Sequence, residues 1–353
     1  MCVNRMIREV AIVRKALILA AVAAALSIVF ALSGTAAAWF SRNISLPLSA
    51  VVARAASVTD WPVGETLLIL VAPAVVVMLA WAAIRRRAPR GASFTLSLVF
   101  LMYAVLWVPQ CFVPAKETES YETWRLIKLS RVLAAQAEEL RNDAYAAPDA
   151  SQTEILAAAR DAVAALEISD RPLYAPKLSR FPQVLQALKI GGLYAPWTGE
   201  AIVSPKEPIF TLPFLATHEL AHAAGIARED EANFAAYQAC MAGDARFQYA
   251  GTIYALRYSM DALRAIDMTK WFEVRKDFDE GVRYDFTRID DLGDAASGTA
   301  AFADRAAEAF LQLSGQPAGL ASYTGMVNFL LSDVSLVDNP QTLQREDAIQ
   351  NIN

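Results

Sequence analysis

Histidine is almost missing from this chain, with two in 353 residues. Cysteine is scarce as well. The three present, Cys2, Cys111 and Cys240, lie far apart with no CxxC spacing, which excludes a disulfide framework and a zinc cluster built from thiolates. Charge is thin: charged residues make up 20% of the chain and hydrophobic ones 55%, against ordinary globular averages of about 25% and about 45–50%. The net charge is −5. No basic excess is available for nucleic acid, so no nucleic-acid partner is expected. Such an apolar surplus points to membrane segments rather than to an oversized core, and a lipid bilayer is the first expected partner.

Three uncharged stretches come before residue 116, and each reaches the ~20 residues that a spanning helix needs. The expected transmembrane helices run over about 16–39, 66–84 and 92–113. Pro73 and Pro109 fall in the second and third, where membrane helices tolerate proline. Arg5, Arg8, Arg14 and Lys15 precede the first, and Arg85, Arg86, Arg87 and Arg90 fill the link between the second and third. By the positive-inside rule these basic segments face the cytoplasm. The loop 41–65 and everything after residue 115 then lie outside. The end of the first stretch, Thr35-Ala36-Ala37-Ala38, resembles a signal-peptide cleavage site, but the apolar run is long for that and favours an uncleaved anchor. The expected organisation is therefore a membrane anchor over 1–115 and an extracytoplasmic domain over 116–353.

Helical periodicity dominates the second part. Leu126, Leu129, Leu133, Ala137 and Leu140 form one stripe of a helix over 120–145. Ser151 and Glu154 form a capping box that opens a helix through Leu166. Prolines 172, 176 and 182 mark a loop, a short helix follows over 183–189, and GGLYAPWTGEAIVSP (191–205) reads as two brief strands. The next helix has Thr211 as N-cap, Pro213 in its first turn and Gly225 at its end, and another starts near Arg228. Further helices are expected over 245–266, 270–283, 299–313 and 319–333, with a polar loop at 290–298.

Both histidines sit in one motif, His218-Glu219-Leu220-Ala221-His222, inside an apolar helical run. Side chains four apart on a helix lie one above the other, so two imidazoles can converge on a zinc ion at about 2.0–2.1 Å. Glu219 beside them can act as general base. Chance produces an HExxH in on the order of one chain in a hundred of this length. No histidine remains for a third ligand, and position 228, where an HExxHxxGxxH pattern needs one, is arginine. A carboxylate is required, from Glu229, Asp230 or Glu231. Arg257, Tyr254 and Tyr258 on a later helix are candidates for stabilising an oxyanion. Glu200, with the strands around it, offers either an edge that aligns a peptide or a structural hairpin. Cys240 reads as a small buried apolar residue.

YAPWTGEAIV, LPFLATHELAHAAGIAREDEANFAAYQAC, YAGTIYALRYSMDAL and the late GLASYTGMVNFLL together resemble the bacterial membrane-protein family catalogued as domain of unknown function 3810 (DUF3810). That family is similar to zinc metallopeptidases through its HExxH, which implies a zincin-like fold and leaves the substrate open. Glu229-Asp230-Glu231-Ala232-Asn233 is also similar to the EAN-type helix of ImmA/IrrE-type peptidases and to the ExxAD helix of membrane CAAX-type proteases. The similarity implies Glu229 as third ligand, with Glu231 the runner-up, and Asn233 as the residue that orients a histidine. Ala232 and Ala236 would let this helix approach the metal closely.

The resulting expectation is a mainly α protein: three N-terminal transmembrane helices and a mostly helical, zincin-like domain with a small β element. Its function would be hydrolysis of peptide or protein substrates by a zinc metallopeptidase in the bacterial inner membrane. The competing expectation is a scaffold or receptor that keeps the metal-binding helix without turnover.

Overall fold

Ser33 interrupts the first apolar run. It leaves helical geometry (φ −142°, ψ 95°), and its hydroxyl accepts from the Ala36 N–H at 3.3 Å, an N-cap that starts a new helix. In the computed structural model, which describes residues 2–85, 90–117, 121–294 and 300–332, α1 is therefore Cys2–Leu32 and α2 is Gly34–Phe40. A π-helical turn, Ser41–Ser45, leads into α3 (Leu46–Ala56), followed by α4 (Val63–Arg85), α5 (Arg90–Leu106) and α6 (Val108–Cys111).

Among the described residues two helices are long and apolar enough to cross a membrane, Ala11–Leu32 and Val63–Ala82, where three were expected. The third apolar run is cut at Trp107, whose φ of −122° lies outside the helix. Pro109 lacks an N–H and restricts the residue before it, so the apolar helix there is only Ser93–Leu106. On the two long helices Leu17, Leu32, Leu70 and Val77 are each more than 60% exposed.

The chain divides into two compact units, 1–114 with 177–181 and 194–202, and 115–176 with 182–193 and 203–353. In the first unit α1 packs along α5. Ala23 and Phe30 in the C-terminal half of α1 and Ala104 in that of α5 share a core with Ala37 of α2 and Val108 of α6, with Leu26, Leu101 and Phe112 against it, so α1 and α5 run parallel. The strands β1 (Lys177–Leu178), β2 (Gly192–Ala195) and β3 (Glu200–Val203) form a sheet in the order β1-β3-β2. Between β2 and β3 the chain turns at Gly199 (φ 65°). Glu200 is buried in the central strand, not at an edge. Its carboxylate accepts from the Val63 and Gly64 N–H groups (3.2 and 2.6 Å) and from Lys177 Nζ (2.6 Å). It thus caps α4 from far along the sequence, and the structural reading of Glu200 holds. Gly64 makes this approach possible: a Cβ there would lie 2.4 Å from Ala195 Cβ and Thr198 Oγ1.

The second unit is helical. After α7 (Thr123–Ala146) comes α8 (Gln152–Ala164), opened by both bonds of the Ser151–Glu154 capping box. The chain continues through α9 (Pro182–Ala187), α10 (Leu212–Ala223), α11 (Glu229–Met241), α12 (Ala245–Ile266), α13 (Met268–Lys276), α14 (Glu280–Asp294) and α15 (Ala300–Leu313). A 3₁₀ segment, Gly319–Gly325, precedes α16 (Met326–Ser332). The helix expected over 270–283 is two helices, because Asp279 accepts from the N–H groups of Gly281 and Val282 and starts α14 afresh. That helix continues through 290–294, where a loop was expected; 295–299 lie outside the described residues. α10 lies against α8, α11 and α12, and α12 lies along α7. Asp285, fully buried, ties three of these helices together by accepting from Arg141 Nε (2.9 Å), Tyr145 Oη (2.9 Å) and Tyr249 Oη (2.7 Å).

Candidate metal centre

α10 is buried nearly all round, with Leu215 alone between Leu212 and His222 outside the buried set. Pro213 sits in its first turn, where its missing N–H removes nothing. At the other end Gly225 (φ 108°) permits a left-handed turn. The Ile226 N–H bonds the Ala221 carbonyl (3.1 Å) and the Gly225 N–H bonds the His222 carbonyl (3.0 Å), the pair of bonds of a Schellman motif. This turn brings the Ile226 carbonyl to 2.7 Å from His222 Nδ1. A carbonyl can only accept, so Nδ1 carries the hydrogen and a neutral ring offers bare Nε2 to the site.

α11 starts at Glu229 and closes on α10 through small side chains, Ala221 against Ala232 and Ala235. Three ligand-type atoms then converge. His218 Nε2 lies 3.1 Å from His222 Nε2 and 3.3 Å from Glu229 Oε2, and His222 Nε2 lies 3.7 Å from that same oxygen. A four-coordinate ion with bonds of about 2.0–2.1 Å sets its ligand atoms about 3.3 Å apart. His218, Glu219, His222 and Glu229 are each 9% exposed or less. Glu229 Oε2 is buried and lies within ion-pair distance of both imidazoles, an arrangement that a cation held between the three atoms would satisfy. The donor set fits a metal ion.

Without a metal the same groups charge one another. Burial works against charge on Glu229, but the imidazoles of His222 and His218 outweigh it and hold the carboxyl down to about 2. Burial likewise opposes protonation of His222, and Glu229, followed by Glu219 and the Ile226 carbonyl, outweighs it and raises the ring to about 9. Glu219 is pushed up by burial, with the two histidines pulling against the shift.

The remaining sequence candidates separate. Glu231 is turned to other partners: Oε1 accepts from the Lys116 N–H (3.1 Å) and lies 3.5 Å from Arg228 Nε. It takes no place in the three-residue cluster. Asn233 does not hold a histidine. Its Nδ2 donates to the Tyr323 carbonyl (3.2 Å), and its side chain adjoins Tyr258. Of the two histidines, His222 is held by the backbone of the Gly225 turn, and His218 Nδ1 is buried with no hydrogen-bond partner among the described residues. Tyr258 lies within electrostatic reach of Glu229, whereas Arg257 Nε points along its own helix to Asp261 at 3.7 Å. Tyr254 stacks on Phe214, ring centroids 4.2 Å apart, and Phe214 in turn lies 6.5 Å from the His218 ring. Cys240 is buried, its Sγ 3.5 Å from Thr217 Oγ1.

Two residues at the site were not found from sequence. Tyr323, in the 3₁₀ segment, lies within electrostatic reach of Glu229, Tyr258 and Glu219, and burial raises its phenol well above the ordinary range. It sits within GLASYTGMVNFLL, a stretch that carried the family resemblance, so a signal existed. Gln316, beside Glu229, belongs to no motif.

Comparison with curated proteins and with solved structures gives no match. The profile of one family covers residues 40–331, more than four-fifths of the chain and the whole of the site. The chain belongs to the family described as Protein of unknown function (DUF3810).

Proposed function

We propose that this protein is a membrane-bound zinc metallopeptidase, with His218, His222 and Glu229 as metal ligands and Glu219 as general base. The observation that carries the reading is the convergence of two imidazole nitrogens and one buried carboxylate oxygen within 4.8 Å of one another. Zinc is the ion that best suits two imidazoles and a carboxylate, and when bound it would supply Lewis acidity and lower the pKa of a water towards 7. Glu219 takes the proton of the attacking water and passes it to the leaving amine. Burial raises its pKa, the direction that suits a group taking up and passing on a proton. Tyr258 and Tyr323 both lie within electrostatic reach of Glu229, and as neutral O–H donors they serve the developing oxyanion.

The membrane reading rests on α1 and α4, whose exposed apolar side chains belong in lipid. Basic residues at the N-terminus and after α4 place both ends on the cytoplasmic side. α5 is short for a span, but it lies parallel to α1 with the C-terminal halves together. The chain beyond α5 is therefore delivered to the side on which α1 ends, and the catalytic unit faces out of the cytoplasm.

The test compares detergent-solubilised wild type with Glu219→Gln on a peptide library. We expect cleavage by wild type, abolished by a zinc chelator, and a loss of about 10²-fold or more in the variant, the scale of general-base catalysis. Equal cleavage by both, or none by either at full zinc occupancy, replaces this reading with that of a scaffold or receptor that binds metal without turnover.

A further inference from the structure

We propose that Gln316 is a positioning residue for the third ligand, holding the peptide of Glu229 so that its carboxylate meets the two imidazoles. The inference rests on the metal-site reading above and adds a residue 87 positions away in sequence. Gln316 is 3% exposed. Its Oε1 accepts from the Glu229 N–H at 3.0 Å, and its Nε2 donates to the Ala227 carbonyl at 3.4 Å. One side-chain amide thus bridges the backbone on both sides of Arg228.

The first N–H groups of a helix have no partner within it and are ordinarily met by an N-cap side chain. Arg228, at the N-cap of α11, supplies none. Gln316 meets that need from another element. It is itself presented by a fixed turn at the end of α15. Gly315 is left-handed (φ 77°), its N–H bonds the Gln312 carbonyl (3.2 Å), and the Gln316 N–H bonds the Leu311 carbonyl (3.0 Å). These are the two bonds of a Schellman motif. The residue after such a turn therefore orients metal-site geometry twice, through the Ile226 carbonyl on His222 and through the Gln316 side chain on Glu229.

Two further tethers hold the same strip of chain against α11. The Tyr323 carbonyl accepts from Asn233, and Gly325 lies so close to Asp230 that a Cβ would meet Asp230 Cβ at 2.8 Å. The segment 316–325 thus templates the face of α11 that carries Glu229.

The test measures zinc affinity by chelator competition, and the visible spectrum of the cobalt(II)-loaded full chain in detergent, for wild type, Gln316→Met, Glu229→Ala and the double variant. Partners that orient ligands typically contribute 10–100-fold in metal affinity. Gln316→Met, similar in size but without the amide, is expected to lose zinc affinity by about that factor and to shift the cobalt spectrum towards that of Glu229→Ala. On the Glu229→Ala background it should cost nothing further. A merely structural role would make the two losses additive. Should Gln316→Met fail to fold, Gln316→Asn, one methylene too short to reach, gives the same comparison. Wild-type affinity in the glutamine variants, or additive losses, overturns the proposal. Absence of zinc binding in wild type overturns the metal reading instead, so the two failures are distinct.

Discussion

Without a metal, His222 and Glu229 hold each other charged. Burial opposes both charges, yet their mutual attraction raises His222 to about 9 and lowers Glu229 to about 2. The metal-free pair therefore stabilises the fold fully between about 4.5 and about 6.5, the ordinary values of the two groups. Below that window the Glu229 contribution fades as pH falls towards 2, and above it the His222 contribution fades as pH rises through 9. A metal must displace the His222 proton. Zinc affinity, measured by chelator competition, is thus expected to rise by up to about tenfold per pH unit between pH 6.5 and 9 and then to level off. A flat profile across pH 7–9 contradicts the assignment of His222. At this scale the sequence was legible where chemistry is local. Two histidines at a spacing of four single themselves out in a chain with no others, and ExxAN pointed to Glu229. Glu231 could not be told from Glu229 by spacing, since the choice depends on a Lys116 backbone N–H and on Arg228. Gln316 lies beyond any local period, and only folding brings it to the Glu229 amide.

One turn and one buried carboxylate fix how the helices of this unit meet. Gly225 holds a φ of 108°, a conformation that alanine adopts only under strain. Gly225→Ala is expected to destabilise the protein by about 1–2 kcal/mol in chemical denaturation and to weaken zinc binding, because the Ile226 carbonyl leaves His222. Unchanged stability with wild-type zinc affinity would refute that role. Asp285 is the corresponding joint of α7, α12 and α14. Asp285→Ala leaves a buried tyrosine hydroxyl and a partly buried guanidinium without their acceptor, at an expected cost of about 3 kcal/mol, readable as a lower denaturation midpoint; a loss below about 1 kcal/mol is the contrary result. Helices with strong caps were readable. The Ser151–Glu154 box gave the start of α8, and α12 has the expected limits, with Asp244 capping it through the N–H groups of Arg246 and Phe247. Breaks made by a single polar side chain were not, as Asp279 shows between α13 and α14. β1 escaped too, being two residues in a proline-flanked segment whose partner is a distant strand.

Across the whole molecule, apolar length in the sequence overstated what folds as helix, because Ser33 and Trp107 each end a run that composition alone carries through. On the proposed topology, residues of the second unit are reached from outside the cell membrane. An introduced cysteine at exposed Asp161 should then react with a membrane-impermeant maleimide on intact spheroplasts. The experiment is made on a Cys2→Ser chain, where the remaining Cys111 and Cys240 are buried and should give little background. Labelling only after permeabilisation contradicts the orientation. The proposed metal site is open to one direct measurement, the zinc content of the purified, detergent-solubilised full chain after incubation with zinc and removal of excess. About one equivalent is expected in wild type and in Glu219→Gln, with well under half retained by His218→Ala, His222→Ala or Glu229→Ala. Wild type that retains no zinc, or ligand variants that retain as much as wild type, would contradict it.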